Sequence, residues 1–282
     1  MLIVGERLNT TRKSVAAMVE ALDGAAVRRE ALRQIEAGAH YVDVNAGTFR
    51  TREPELLRWM VENAQAGVES TRAARAESGR GTEESAPIPL CIDSPNPVAI
   101  RAALEVHRGQ AIVNSITGEA ERLSRLLPVI RDHGSAVVAL CLDDAGLPAT
   151  ADEATAKGLR LVETLLGAGI SPGDIYVDPV VRPVGADPGA AVTAIETIRR
   201  LRERLPEVHF ICGLSNVSFG LPARSLANRA FGAMAMAAGL DAAILDPLDS
   251  PLMSALLAAE AVLGRDRHCG RYLRAYRQGK LT

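Results

Sequence analysis

Residues 209–224 read HFICGLSNVSFGLPAR. His209, Phe210, Ile211 and Cys212 are of the kind that packs in a sheet. The run then gives way to Gly213-Leu214-Ser215-Asn216, small and polar, and Arg224 follows. Asn and Gly are common turn residues for conformational reasons, so a turn is the plain reading. The sharper reading is that Asn216 points into a site. The choice depends on whether other strands end the same way.

They do. Short apolar runs occur at Leu2–Gly5, Tyr41–Val44, Pro89–Ile92, Ala111–Val113, Ala136–Leu140, Ile175–Val177, His209–Cys212 and Ala242–Leu245. Between them lie segments with apolar residues at helical spacing, such as Val27–Ala37, Val98–Val106, Glu121–Ile130, Ala154–Leu166, Ala191–Leu201 and Leu226–Ala238. Runs bounded by Gly, Pro, Asp and Asn and alternating with helices indicate βα units and a parallel sheet. Eight such units in 282 residues match a (β/α)8 barrel, the TIM barrel of the α/β class. An open doubly wound sheet has less support, because no GxGxxG follows the first run. The expected organisation is one domain over residues 1–282, with a charged loop inserted at about 70–87 and a short tail from about 263. Residues 66–87, AGVESTRAARAESGRGTEESAP, break the rhythm and lack an apolar stripe long enough to pack.

Composition narrows the function. The formal net charge is −2, so no global field favours nucleic acid or a membrane surface. Aromatic residues make up 3% of the chain, too few for stacking platforms on single strands. No run approaches the ~20 apolar residues of a membrane helix, and no secretory leader precedes Glu6 and Arg7. Cys91, Cys141, Cys212 and Cys269 show no CxxC spacing, and the first three fall in apolar runs. They are expected to be small buried hydrophobes in a reducing cytoplasm.

The active site of a barrel lies at the C-terminal ends of its strands. There the chain places Glu6 and Asn9, Asp43 and Asn45, Asp93 and Ser94, Asn114 and Ser115, Asp143 and Asp144, Asp178, Ser215 and Asn216, and Asp246. Some must cap helices. As a set they are carboxylates and carboxamides, with no His and little Lys or Arg. Neither a Ser/His/Asp arrangement nor HExxH is present, so no metal site is expected. Carboxylates accept from N–H groups, and carboxamides both donate and accept. Such a set suits a flat heterocycle with an amino-pyrimidinone edge, since a carboxylate facing two N–H donors makes a bidentate, charge-assisted contact. A sugar or polyol remains open on these residues alone.

Several stretches in order carry a family resemblance. They are Ile3-Val4-Gly5-Glu6-Arg7-Leu8-Asn9, Asp43-Val44-Asn45-Ala46-Gly47, Cys91-Ile92-Asp93-Ser94, Val113-Asn114-Ser115, Tyr176-Val177-Asp178-Pro179 and Gly213 to Gly220. Asn228-Arg229 and Ala238 to Ile244 continue it, to about residue 262. Together they resemble the pterin-binding barrels of corrinoid-dependent methyl transfer: the methyltetrahydrofolate:corrinoid protein methyltransferases and the folate domain of cobalamin-dependent methionine synthase. Dihydropteroate synthases share the fold, but their seventh strand ends in Ser-Arg-Lys, where this chain has Ser215-Asn216-Val217. Their first-loop Asn-x-Thr-Pro-Asp-Ser-Phe is only partly kept in Asn9-Thr10-Thr11-Arg12-Lys13-Ser14. Both departures favour methyl transfer over synthase chemistry; a non-catalytic pterin-binding subunit is the other alternative.

The resemblance implies a transferase moving a methyl group between N5 of methyltetrahydrofolate and the cobalt of a corrinoid. Asp93, Asn114 and Asp178 would hold the pyrimidine edge of the pterin. Asn216 would be catalytic, next to N5. Glu6, Asn9, Asp43, Asn45, Ser215 and Arg224 would line the same cavity. Asp266-Arg267-His268-Cys269-Gly270 has a passing likeness to the Asp-x-His-x-x-Gly element of cobalamin modules, but its glycine falls one residue early. The corrinoid (cobalamin) is therefore expected on a partner protein, and a homodimer is expected by analogy.

Overall fold

The computed structural model of the chain describes residues 1–77 and 87–282. Eight strands and ten α-helices alternate among the described residues. The strands are β1 (Leu2–Asn9), β2 (Tyr41–Asn45), β3 (Leu90–Asp93), β4 (Ile112–Ile116), β5 (Ala136–Leu140), β6 (Ile175–Asp178), β7 (His209–Phe210) and β8 (Ala242–Leu245). Helices α1 (Lys13–Glu20) and α2 (Gly24–Glu36) follow β1, and α3 (Glu53–Glu77) follows β2. Then come α4 (Pro97–Leu104), α5 (Ala120–Asp132), α6 (Ala151–Gly167), α7 (Ala190–Arg204), α8 (Arg224–Ala238), α9 (Ser250–Val262) and α10 (Gly270–Arg277).

The strand order is β7-β6-β5-β4-β3-β2-β1-β8. The segment following β7 meets β8 through a Gly213–Ile244 bridge, in which Ile244 N–H donates to the Cys212 carbonyl at 3.0 Å. This is the (β/α)8 order read from the apolar runs. Val4, Val42, Leu90, Ile92, Ile112 and Val177 are fully buried, as strands covered by helices on one face and side chains on the other must be.

By internal contacts the chain forms two compact units. One comprises residues 3–116 and 121–138; the other comprises residues 1–2, 117–120 and 139–282. In the first, β1 pairs in parallel with β2, and Asn9 aligns with Asn45. The register shifts between Gly5 and Leu8. The Arg7 N–H there donates instead to Gln34 Oε1 at 3.0 Å, and a Cβ at residue 5 would collide with that same oxygen, so a larger residue at position 5 would displace the Gln34 amide. Asp93 on β3 aligns with Asn114 on β4. In the second unit, β6 pairs with β7 over Tyr176–His209 and Val177–Phe210.

Three elements differ from the sequence reading in extent. Helix α3 continues to Glu77, across the start of the expected loop at 70–87; residues 78–86 of that loop lie outside the described residues. Strand β7 is two residues long. Beyond residue 263 the chain forms α10, whose first N–H groups are capped by the buried Asp266, from Arg271 N to Oδ1 and Tyr272 N to Oδ2, both at 3.0 Å. The Asp266–Gly270 segment is thus a helix cap. No helix among the described residues is long and apolar enough to cross a membrane.

Candidate active site

In the first unit, the strand ends form a connected set of carboxylates and amides. Asn45 Nδ2 donates to Asp93 Oδ2 at 2.8 Å, while its Oδ1 accepts from Gly47 N–H at 2.9 Å. The amide orientation is therefore set by its neighbours. Asn114 Nδ2 lies 3.5 Å from Asp43 Oδ1. Asp43 is buried, 2% exposed, while Asp93, Asn45 and Asn114 are half-buried. Glu6 is also half-buried, and its charge acts on Asp43. Asn9 spends its side chain locally: Oδ1 accepts from Thr11 N–H at 3.0 Å and from Thr11 Oγ1 at 2.7 Å, which holds the turn after β1.

The two aspartates are raised together. Burial pushes Asp43 well above the ordinary carboxylate range and the charge of Asp93 pushes it further, against hydrogen bonds from Cys91 and Asn114. Asp93 is pushed up to about 6, again first by burial and also by Glu53, while Asn45 and Arg122 pull it down. Two carboxylates in one buried site resist ionising together, so a proton stays on the more buried one. Asp93 is the less buried of the two, so its carboxylate is the less costly to ionise.

Two residues of this set escaped the sequence reading. Glu53, the first residue of α3 and 4% exposed, accepts from Ser94 Oγ at 2.6 Å. Arg122, in the first turn of α5, donates to the carbonyls of Ser115 (2.9 Å), Pro95 (2.7 Å) and Ser94 (3.2 Å). A cation at a helix N-terminus opposes the helix dipole, and that oddity was the available signal.

In the second unit, Asp178 ends β6. Burial raises its carboxyl to about 7, against one hydrogen bond from the Val180 N–H to Oδ1 at 2.7 Å. The nearby Cys141 and Cys212 thiols are pushed up, first by burial and then by the Asp178 charge. Ser215 and Asn216 lie in a short 3-10 turn, Leu214–Asn216. Asn216 is exposed, and among the described residues nothing hydrogen-bonds its side chain. Arg224 opens α8 and folds back, giving Nε to Ser218 Oγ at 3.1 Å and a guanidinium nitrogen to the Ser215 carbonyl at 2.6 Å. Its guanidinium therefore braces the loop bearing Asn216. Asp143 is taken up by Lys157 and Arg160, which accounts for it structurally.

A cavity of about 560 Å³ lies at the other end of β7 and β8, lined by Arg202, His209, Asp241, Glu260, Arg265 and Arg271 among others. Its arginines are spent on structure. Arg202 binds the Val208 carbonyl at 2.8 Å and Asp241 at 2.7 Å, Arg265 binds the Leu240 carbonyl at 2.8 Å, and Arg271 pairs with Glu260 at 3.0 Å. The N-terminal face of a barrel serves stability.

Residues 5–246 match the family of pterin-binding enzymes. The chain is 36% identical over 283 residues to the methylcorrinoid:tetrahydrofolate methyltransferase of Eubacterium limosum, covering 100% of this chain and 98% of that protein. It is 32% identical over 173 residues to methionine synthase of Mycobacterium tuberculosis, which is 57% of this chain and 14% of the much longer relative. Among solved structures, Yersinia pestis dihydropteroate synthase with a pterine-sulfa conjugate superposes with a TM-score of 0.63 at 18% identity, covering 94% of this chain and 93% of that one. Xanthomonas albilineans dihydropteroate synthase in complex with 7,8-dihydropteroate gives 0.62 at 21%, covering 94% and 92%. At these identities the synthases attest the barrel fold and nothing finer. This chain belongs to the pterin-binding enzymes and, within them, to the family of the methyltetrahydrofolate:corrinoid protein methyltransferases.

Proposed function

We propose that the protein transfers a methyl group between N5 of tetrahydrofolate and the cobalt of a corrinoid carried by a partner protein. The observation that carries this reading is the end-to-end similarity to a methylcorrinoid:tetrahydrofolate methyltransferase. The site chemistry supports it. Asp93, Asn114 and Asp178 hold the pyrimidine edge of the pterin, the aspartates accepting from its N–H groups and Asn114 pairing with its mixed donor and acceptor edge. Burial without a cation partner is costly for a carboxylate. An N–H-rich ligand offsets that cost, so binding draws these aspartates into the ionised form. Glu6, Asn9, Asp43, Asn45, Ser215 and Arg224 complete the cavity, mainly by orienting the residues that touch the ligand.

The methyl group moves in line between N5 and cobalt(I), a strong nucleophile. Nitrogen is a poor leaving group as an anion and a good one once protonated. The protein must therefore favour positive charge or a proton at N5 in the transition state while doing little elsewhere. The Asn216 side chain is exposed and uncommitted, and its carbonyl oxygen accepts a hydrogen bond from protonated N5. An amide is not a general acid at neutral pH, so the proton arrives from solvent. The same contact serves both directions, which share one transition state. The protein acts in the cytoplasm as a homodimer. The exposed apolar side chains Leu226 and Met234, on the same face of α8 as Ala230, suit self-association.

The test is anaerobic. Protein, methyltetrahydrofolate and reduced cob(I)alamin are mixed and the cobalt(I) absorbance is followed, with Asn216→Ala alongside. The expected outcome is decay to methylcobalamin, slowed ~10²–10³-fold in the variant while folate binding persists. Absence of folate binding by the wild-type protein would sink the assignment.

A further inference from the structure

The turn after β3, residues 94–96, is gripped from two sides. From α3, Glu53 Oε1 accepts the Ser94 hydroxyl at 2.6 Å, and the same hydroxyl oxygen accepts the Asn96 N–H at 2.9 Å. Glu53 Oε2 lies 3.5 Å from Asn96 Nδ2. From α5, Arg122 donates to the carbonyls of Ser94 and Pro95 on this turn and of Ser115 on β4. Asp93 immediately precedes the turn.

We infer that Glu53 and Arg122 are positioning residues for Asp93, clamping its turn from α3 and α5 respectively. The inference rests on the reading of Asp93 as a pterin contact.

Each residue breaks a rule that ordinary stability would respect. Glu53 is a carboxylate 4% exposed whose hydrogen-bond partners are a hydroxyl and an amide, with no cation paired to it among the described residues. Burying a carboxylate this way is unfavourable compared with an apolar side chain of similar volume. Arg122 sits where the dipole of α5 repels a cation. Violations of local rules concentrate where function compensates for them. Both hold the turn that directly follows Asp93, a residue of the candidate site.

Their charges also work on Asp93 in opposite senses. Glu53 raises its carboxyl and Arg122 lowers it. The other groups acting on Asp93 lie on β2: Asn45, hydrogen-bonded to it, and Asp43, whose carboxyl is coupled to it and which in turn feels Glu6 on β1. A purely mechanical clamp needs no such opposition.

The experiment is tetrahydrofolate titration calorimetry across the neutral to mildly acidic range with wild type, Asp93→Asn, Glu53→Gln, Arg122→Gln and Ser94→Ala, each checked by thermal melting. Binding of wild type should weaken as pH falls through about 6, where Asp93 takes up its proton. Glu53→Gln should move that midpoint to lower pH. Arg122→Gln should move it to higher pH, weakening binding near the wild-type midpoint by about 3–10-fold. Ser94→Ala removes the hydroxyl link without a charge, so it should weaken binding at every pH and leave the midpoint in place. If Asp93→Asn weakens binding but the Glu53 and Arg122 variants leave the profile unmoved, or move it the same way, the inference is overturned. If Asp93→Asn binds like wild type, the pterin reading itself fails. Should one charge variant not fold, the direction of the other together with Ser94→Ala still decides.

Discussion

A guanidinium nitrogen of Arg224 donates to the carbonyl oxygen of Ser215 at 2.6 Å, across the loop that carries Asn216. The second donor of the same side chain reaches Ser218 Oγ at 3.1 Å. Arginine is suited to this because its planar fork makes two bonds in a fixed geometry.

Replacing Arg224 by alanine should therefore loosen Asn216 without unfolding the barrel. Misplacement of a reacting contact by an ångström costs up to ~10²-fold in rate. The expected result is a kcat lower by about 10–100-fold, with KM for the folate changed little and the melting temperature nearly unchanged. A KM effect alone would assign Arg224 to the ligand instead.

Asp178 makes stability depend on pH. Its carboxyl titrates at about 7 in the fold against 3.8 for an unperturbed aspartate. The folded state thus holds the proton more tightly than the unfolded chain. That contribution is complete below the unfolded value and is lost as pH rises through about 7. Asp178→Asn keeps an acceptor for the Val180 N–H but carries no charge, so it should be more stable than wild type above neutrality, by about 2–4 kcal/mol. The gain should vanish in acid, and folate binding should be lost. Equal melting temperatures in mild alkali would show that Asp178 is not held protonated.

Gly158→Ala should destabilise, although alanine is the better helix former by about 0.5–1 kcal/mol. A Cβ there would stand 2.9 Å from Cys141 Sγ and 3.0 Å from Leu201 Cδ1, both residues fully buried. Overpacking of this kind costs about 1–3 kcal/mol and outweighs the propensity gain. Urea unfolding would read the difference, and a stabilised variant would mean that α6 has slack against its neighbours.

Thiol titration gives a count. Cys91, Cys141 and Cys212 are buried and Cys269 is exposed. Burial also pushes the first three thiols up, away from the reactive thiolate. A disulfide exchange reagent should modify one thiol per native chain and all four after denaturation. Rapid loss of a second thiol would reveal local opening at a strand end.

Most of the barrel was legible because its signal is local. Strands β5 and β8 run over the residues that the apolar runs Ala136–Leu140 and Ala242–Leu245 marked. Parallel strands buried on both faces must be apolar, and the helices between them must carry an apolar stripe. Strand β7 is shorter than its run, although Ile211 and Cys212 are buried and still bond the flanking strands, through Ile211 N–H to the Val177 carbonyl and the Cys212 carbonyl to Ile244 N–H, both at 3.0 Å. The polar strand ends were legible for the same reason as the strands. A residue that follows an apolar run in a parallel barrel emerges at one known end. Glu53 and Arg122 were not, since each lies in a helix far in sequence from the strand end it serves.

The sequence by itself determined the alternation of strand and helix, the row of aspartates and asparagines at the strand ends, and the family. These follow from periodicity and order along the chain. The tertiary structure alone decided how those residues divide the work. Burial is a property of packing, so only the fold raises Asp43, Asp93 and Asp178. Hydrogen-bond partners distant in sequence are equally invisible to periodicity. Only the fold joins Asn45 to Asp93, sets Glu53 behind Ser94 and leaves the side chain of Asn216 exposed.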